Sequence, residues 1–216
     1  MLPLTVIAHV MQDKQGLCTD PQSLKDHLEM AASLSENFAG LFFSPSWGRL
    51  AGLAHDLGKS TPEWQKYFRE KSGFEKEGES EGSKLLDHSS LGAVAVVQLF
   101  PIHVGRILSY IIAGHHAGLP DWEGSTASLK HRLQQWASKY SSIPSEYIEA
   151  LIKAPLPKLP RLFNPNGLDV SFWIRMVFSC LVDADFLDTE QYMQKDASNL
   201  RTGFYTIEQL LKFFDS

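Results

Sequence analysis

The chain has few cysteines and no long apolar run. Among its 216 residues only Cys18 and Cys180 are cysteines, and they form no C-x-x-C pattern. Two cysteines so far apart in the sequence exclude a disulfide framework and a zinc ribbon, and their scarcity favours a reducing compartment. No apolar stretch approaches the roughly 20 residues that a membrane helix needs, and the first ten residues lack the features of a signal peptide. We therefore expect a cytoplasmic protein without a membrane segment.

Positive charge is also scarce. The chain has 20 lysine and arginine residues against 25 aspartate and glutamate residues, which gives a formal net charge of -5. Proteins that hold nucleic acid through bulk charge are usually basic, so the composition argues against that class. The objection weakens if bound metal ions supply the positive charge at a reaction centre.

Helical patterns are what the sequence has in abundance. The length predicts one domain over residues 1–216, and the hydrophobic fraction of 44% is sufficient for a core. Apolar spacing predicts an irregular all-α bundle, with Asp20-Pro21 at the start of the first helix and Gly58 at the end of the second. The predicted helices cover about 22–38, 47–57, 61–69, 88–100, 102–113, 126–140, 145–153 and 169–187, and a short one ends near Phe213.

Two segments are expected to lie outside the helices. Residues 71–83 are charged and rich in glycine and serine, which predicts a mobile loop. Four prolines between positions 155 and 165 predict an irregular crossing over about 154–168.

Five of the eight histidines and a late acidic cluster are candidate metal ligands. Taken singly, most have a plain structural interpretation, such as a hydrogen-bonded core histidine or polarity at a helix end. Adjacent histidines between two glycines have no packing advantage, however, and a carboxylate in an apolar helix is costly to bury without a partner. The candidates are His27, His55 beside Asp56, His88, the pair His115-His116, and Asp185 with Asp183 as its alternative.

The candidates are most informative as a set. Imidazole and carboxylate ligands together suit manganese, iron, cobalt, nickel or zinc rather than calcium. Five histidines with at least two aspartates exceed what one four-coordinate site needs, and they suit two ions bridged by a carboxylate. Asp183 and Asp185 point to nearly opposite sides of a helix, so only one of them should face the ions.

Four motifs carry a resemblance to a known family. In chain order they are LAGLAHDLGK, DHSSLGA, GHHAG and LVDADFLDTE, and His27 precedes them. This arrangement resembles the HD nuclease domain of the CRISPR-associated nuclease-helicase of type I systems, a branch of the HD superfamily. The resemblance spans about residues 27–190 and implies an irregular HD-superfamily helical bundle.

The resemblance also implies a role for each candidate. His27, His55 and Asp185 would hold one ion, while His88, His115 and His116 would hold the second. Asp56 would bridge the two ions, and Lys59 would face the scissile phosphate. The ions implied are two divalent transition metals, manganese, iron, cobalt or nickel first and magnesium as a further possibility. The superfamily pattern favours Asp185 over Asp183.

The function expected from this resemblance is hydrolysis of single-stranded DNA in CRISPR interference. The chain has no G-x-x-x-x-G-K-[ST] loop, so a helicase motor, in cis or in trans, and an RNA-guided surveillance complex would deliver the DNA. Arg49 and Lys66 are further candidate phosphate contacts, and Trp64 and Trp122 are candidates for base stacking. The alternatives are an HD phosphohydrolase that acts on nucleotides or cyclic nucleotides, and a non-catalytic HD scaffold module.

Overall fold

The part of the chain that the structure describes contains ten α-helices, two short 3-10 helices (Leu57–Ser60 and Ala137–Ser142) and one two-stranded hairpin. The computed structural model describes residues 6–12, 18–70, 87–160, 167–201, 205 and 207–214. The helices are α1 (Leu24–Gly40), α2 (Pro45–Ala54), α3 (Pro62–Glu70), α4 (Ser89–Leu99), α5 (Ile102–Gly114), α6 (Leu129–Trp136), α7 (Ser145–Lys153), α8 (Leu168–Met193), α9 (Lys195–Asn199) and α10 (Ile207–Phe214). The predicted helical bundle is confirmed. None of the described helices has the length and apolarity to cross a membrane.

The two predicted irregular segments fall largely outside this description. The loop over 71–83 lies outside the described residues, as do residues 161–166 of the proline-rich crossing. Residues 154–160 are described and are not helical. The prediction of one domain over 1–216 stays a prediction.

A two-stranded hairpin precedes the bundle, and the sequence did not predict it. Strand β1 (Ile7–Gln12) pairs antiparallel with β2 (Cys18–Ser23), with His9 opposite Gln22. The prediction that Asp20-Pro21 starts α1 is therefore wrong. The helix begins after Ser23, whose hydroxyl oxygen accepts a hydrogen bond from the backbone N–H of Asp26 at 3.0 Å. Pairing with β1 holds the chain extended up to that cap, and helical periodicity does not report strand pairing.

Helices α1 and α2 pack closely and form one side of the core. A Cβ added at Gly52 would lie 2.4 Å from the Cα of Ala32, so glycine is required for this approach. Leu28, Leu50 and Leu181 are buried in the same cluster, which joins α1, α2 and α8. This packing places His27, in the second turn of α1, on a fully buried face.

Helix α2 ends earlier than predicted. It stops at Ala54, and the chain turns at His55 and Asp56 into a 3-10 helix over Leu57–Ser60. The prediction that Gly58 caps α2 is therefore wrong. Gly58 instead donates its N–H to the backbone carbonyl of His88 at 3.0 Å, and an added Cβ would lie 2.2 Å from that oxygen. This close approach seats the HD turn against the segment that precedes α4.

Helices α4 and α5 form a hairpin joined at Phe100 and Pro101. The start of α4 consequently lies beside the end of α5, which brings His88 next to the turn that carries His115 and His116. Helix α8 extends six residues beyond the predicted end at 187, to Met193, and packs along α1. The ends of α2 and α5, the start of α4 and the middle of α8 thus meet at one place.

Candidate metal centre

The predicted ligands converge from five parts of the fold. One comes from near the start of α1, one from α8, and the others from the turns after α2 and α5 and from the residue before α4. Their ligand atoms form two groups that share one aspartate. The first group is His27, His55, Asp56 and Asp185, and the second group is Asp56, His88, His115 and His116.

The first group is enclosed by protein. His27 Nε2 and His55 Nε2 lie 3.1 Å apart, and Asp185 Oδ1 is 3.4 Å from each of them. Asp56 Oδ2 approaches His27 Nε2 at 3.3 Å. All four residues are buried, so any ion held here would have most of its ligands supplied by the protein.

The second group opens toward solvent at one residue. His88 Nε2 and His116 Nε2 lie 2.7 Å apart, and His116 is the exposed member of the group. Asp56 Oδ1 is 3.5 Å from His88 Nε2 and 3.4 Å from His115 Nε2. The second group therefore reaches the protein surface at His116.

Asp56 turns one carboxylate oxygen to each group. Oδ2 faces His27 and Lys59, while Oδ1 faces His88 and His115. Burial alone would favour the neutral acid, but Lys59 and the surrounding histidines hold the pKa of Asp56 well below its usual value. A buried carboxylate that stays ionised between two ligand sets is suited to bridging two cations.

Hydrogen bonds fix the orientation of three of the histidines. The Nδ1–H of His55 donates to the backbone carbonyl of Gly52 at 2.8 Å, and that of His115 donates to Ile112 at 2.7 Å. His27 donates its Nδ1–H to Asp188 Oδ2 at 2.6 Å. Because these acceptors carry no proton, each ring turns its Nε2 lone pair into the site, as histidine ligands of metals do.

The protein alone leaves the site electrostatically incomplete, and this is the test of whether a metal fits. Among the described residues, Asp56 Oδ1, His115 Nε2 and Asp185 Oδ1 are buried without a hydrogen-bond partner. In addition, pairs of Nε2 atoms face each other at 3.1 and 2.7 Å. Two nitrogens that bind one ion at ~2.1 Å and near a right angle lie about 3 Å apart. The donor set and its spacing therefore fit cations in both groups.

The pKa values of the histidines are shifted in opposite directions within the site. Burial lowers the pKa of His88 to about 4, and partial desolvation together with the neighbouring histidines lowers the pKa of His116 to about 3. Burial also disfavours charge on His27, but the neighbouring carboxylates of Asp185, Asp188 and Asp56 raise its pKa well above the usual value. His88 and His116 are therefore neutral at pH 7, the form that binds metal.

Lys59 lies within the site, in contact with a histidine that sequence reasoning missed. Its Nζ is 2.8 Å from Asp56 Oδ2 and 3.3 Å from His9 Nε2. His9 Nδ1 lies 2.8 Å from the side-chain oxygen of Gln22, which only accepts, so His9 Nε2 accepts from Lys59. The Gln22 amide in turn donates to Asp188 at 2.8 Å. A continuous chain of hydrogen bonds thus links Lys59 to the residue that orients His27.

Of the supporting residues Asp188 and His9, only Asp188 could have been identified from the sequence. Asp188 follows Asp185 by three residues, a spacing that puts both on one helix face, and this spacing could have identified it. His9 sits in a strand that was itself not predicted, so no local signal pointed to it. Asp183, the alternative to Asp185, is exposed on α8 and belongs to neither ligand group.

The four further contact candidates are otherwise occupied. Arg49 pairs with Glu29 and Glu36 on α1, at 2.6 and 3.3 Å. Trp64 is buried and stacks on Phe68, and the ring of Trp122 lies 3.6 Å from the guanidinium carbon of Arg106. Lys66 is exposed on α3 and lies outside both ligand groups.

A helical bundle that surrounds a buried His-Asp pair with two sets of imidazole and carboxylate ligands defines a metal-dependent phosphodiesterase of the HD type. The family model described as "Cas3, HD domain" matches residues 17–181, and the chain belongs to this family. The matched range includes every candidate ligand except Asp185, which lies four residues beyond it. A comparison with curated proteins found no match.

This membership confirms the predicted class of function. The family is a CRISPR nuclease domain, and the two ligand groups are those of a metal-dependent nuclease. The enzyme family and the two His-Asp groups that can hold metal ions favour catalysis over the non-catalytic scaffold alternative. The groups can hold metal ions, and which residues bind them remains a prediction.

Proposed function

We propose that this domain hydrolyses phosphodiester bonds of single-stranded DNA with two divalent transition-metal ions, one in each ligand group. The observation that carries this proposal is the shared carboxylate: Asp56 offers one oxygen to each group, and Nε2 atoms from five histidines converge around it. Imidazole-rich ligands favour manganese, iron, cobalt or nickel, with magnesium as the weaker candidate. When bound, the two ions would supply Lewis acidity, which generates hydroxide at neutral pH and neutralises charge on the phosphate.

The protein's own residues would orient the substrate and the ligands. Asp188 and the carbonyls of Gly52 and Ile112 keep the Nε2 lone pairs aimed inward. Lys59 would turn its ammonium toward a phosphate oxygen and stabilise the charge that develops in the transition state. His9 holds that ammonium near Asp56.

The shape and charge of the domain favour a single strand that is delivered by a partner. Six of the seven candidate ligands are buried, and His116 alone among them is exposed. A recessed site admits an unpaired backbone more easily than a duplex. The net charge of -5 gives little general attraction for DNA. We therefore infer a cytoplasmic partnership with a helicase motor and an RNA-guided surveillance complex, consistent with the CRISPR family.

The test is hydrolysis of circular single-stranded DNA by metal-free protein that is resupplied with manganese, nickel, cobalt or magnesium. Nucleotides and cyclic nucleotides are assayed in parallel, and Asp56→Ala is the control. We expect metal-dependent cleavage of the circular strand, lost in the variant. Turnover of nucleotides without cleavage of DNA would instead support a nucleotide phosphohydrolase, and no cleavage with both ions bound would contradict the proposal.

A further inference from the structure

Arg132, on α6, connects the two segments that carry the second ligand group. Its NH1 donates to the backbone carbonyl of Ala113 at 2.7 Å, two residues before His115. Its Nε donates to Ser90 Oγ at 2.7 Å, two residues after His88. One guanidinium thus joins the end of α5 to the start of α4.

The third guanidinium nitrogen of Arg132 also contacts the start of α4. NH2 donates to Ser89 Oγ at 2.7 Å and to Asp87 Oδ1 at 3.2 Å. Asp87 in turn accepts the backbone N–H of Ser90 at 2.9 Å, which caps the first turn of α4. His88 lies between these contacts, so its backbone is held on both sides.

The position of Arg132 is itself fixed by the bundle. Leu129, one turn earlier on α6, is fully buried, and its N–H donates to the carbonyl of Asp121 at 2.8 Å. The Arg132 side chain is 15% exposed. A planar guanidinium with donors in a rigid fork can serve several acceptors at once, whereas a lysine ammonium cannot reproduce that geometry.

The first ligand group has a different support. His27 is oriented by Asp188 and His55 by Gly52, and both partners lie on elements that carry that group. The contacts of Arg132 with Asp87, Ser89, Ser90 and Ala113 all lie beside ligands of the second group. Any change at Arg132 should therefore act on one group.

We infer that Arg132 is a positioning residue that sets the metal affinity of the second ligand group by fixing His88 relative to the His115-His116 turn. The inference rests on the proposed function, since it assumes one ion in each group. Residues that orient metal ligands typically contribute about 10-fold to 100-fold in metal affinity. An effect of that size on one ion, with the other retained, is the signature expected here.

The test uses Mn(II) with the wild type, Arg132→Lys and Arg132→Gln. Bound manganese is counted by titration calorimetry, and electron paramagnetic resonance separates a coupled manganese pair from an isolated ion. We expect two ions and a coupled spectrum in the wild type. In both variants the ion of the second ligand group should bind about 10-fold to 100-fold less tightly than in the wild type. The spectrum at limiting manganese should then be that of a single ion, and excess manganese should restore the coupled signal.

A matched control separates this role from a general loss of structure. Arg49→Gln removes an arginine whose ion pairs with Glu29 and Glu36 join α1 to α2, away from the second group, and it should keep both ions. Melting of the metal-free proteins checks folding, and Arg132→Lys keeps the test available if Arg132→Gln does not fold.

The possible failures are distinguishable. Folded variants that bind two manganese ions with wild-type affinity would overturn the role of Arg132 and leave the proposed function intact. Equal weakening of both ions would also overturn it, because it would indicate a general structural role. A wild-type protein that binds fewer than two ions would contradict the proposed function itself, and this inference with it.

Discussion

The two ligand groups are built from different kinds of structure. The first takes His27 and Asp185 from within long helices and only His55 and Asp56 from a turn, and all of its members are buried. The second takes His88, His115 and His116 from residues just outside helix ends, and one of them is exposed. Ligands carried on helices are held more accurately than ligands carried on loops. We therefore expect the first group to bind its ion more tightly and the second to face the substrate.

The largest effect should come from removing a ligand of the first group. Asp185→Asn withdraws a buried carboxylate that lies 3.4 Å from two histidine nitrogens. A direct ligand should matter more than a supporting residue, so we expect more than about a 100-fold loss of DNA cleavage and loss of the tighter ion. Asp183→Asn changes the exposed neighbour and should be neutral. Equal losses in both variants would break the assignment of Asp185.

The next effect tests the contact between the HD turn and the second group. Gly58→Ala places a Cβ 2.2 Å from the carbonyl oxygen of His88, so the backbone of one segment must move. Small displacements in a site can reduce the rate by about 100-fold. We expect a cleavage loss of that order with weaker binding of the second ion. Gly40→Ala, where an added Cβ meets nothing within 4 Å, is the control. Normal metal binding in Gly58→Ala would show that the second group tolerates displacement.

A smaller effect should follow from weakening the support of the first group. Asp188→Asn keeps the shape of the side chain but removes the charge that accepts the Nδ1–H of His27. We expect about a tenfold loss of affinity for the first ion, the lower end for residues that orient ligands, and little change for the second. The control is Glu190→Gln, which lies on the same helix as Asp188 and alters a surface ion pair with Arg201. A loss of affinity confined to the second ion would show that Asp188 supports the second ligand group rather than the first.

The smallest effect should come from the hairpin. His9→Ala removes one partner of Lys59 but leaves its contact with Asp56. We expect the cleavage rate to fall by only a few-fold, about the value of one modest hydrogen bond, with unchanged binding of both ions. His131→Ala changes an exposed histidine on α6 and should have no effect. A large loss of metal binding in His9→Ala would make His9 part of the first group rather than a support for Lys59.

Sequence patterns were sufficient to predict secondary structure where it is determined by neighbouring residues. The amphipathic helices were predicted to within a few residues, because apolar spacing reports directly which face is buried. The hairpin was missed, because its strands are stabilised by pairing and by packing of Ile7 rather than by a clear alternation. The end of α2 was placed too late, because Gly58 is required by contact with His88, 30 residues away in sequence.

The candidate metal centre shows the same difference between features set by local sequence and features set by contacts between distant residues. Every predicted ligand lies in at least one of the two groups, and the ligands beside helix ends stand in recognisable motifs: His55, Asp56, His88, His115 and His116. The supporting residues Gln22 and Arg132 were not found, because their roles arise from contacts with residues that are distant in the sequence. Arg132 lies 42 residues from Ser90 in sequence, and Gln22 lies 166 residues from Asp188. Sequence spacing carries no record of such pairs.

The central claim is that two ions flank Asp56, and anomalous diffraction from manganese-soaked crystals tests it most directly. We predict two anomalous peaks, one among His27, His55 and Asp185 and the other among His88, His115 and His116, with a carboxylate oxygen of Asp56 beside each. A single peak, or peaks that leave either histidine set empty at saturating manganese, would contradict the account.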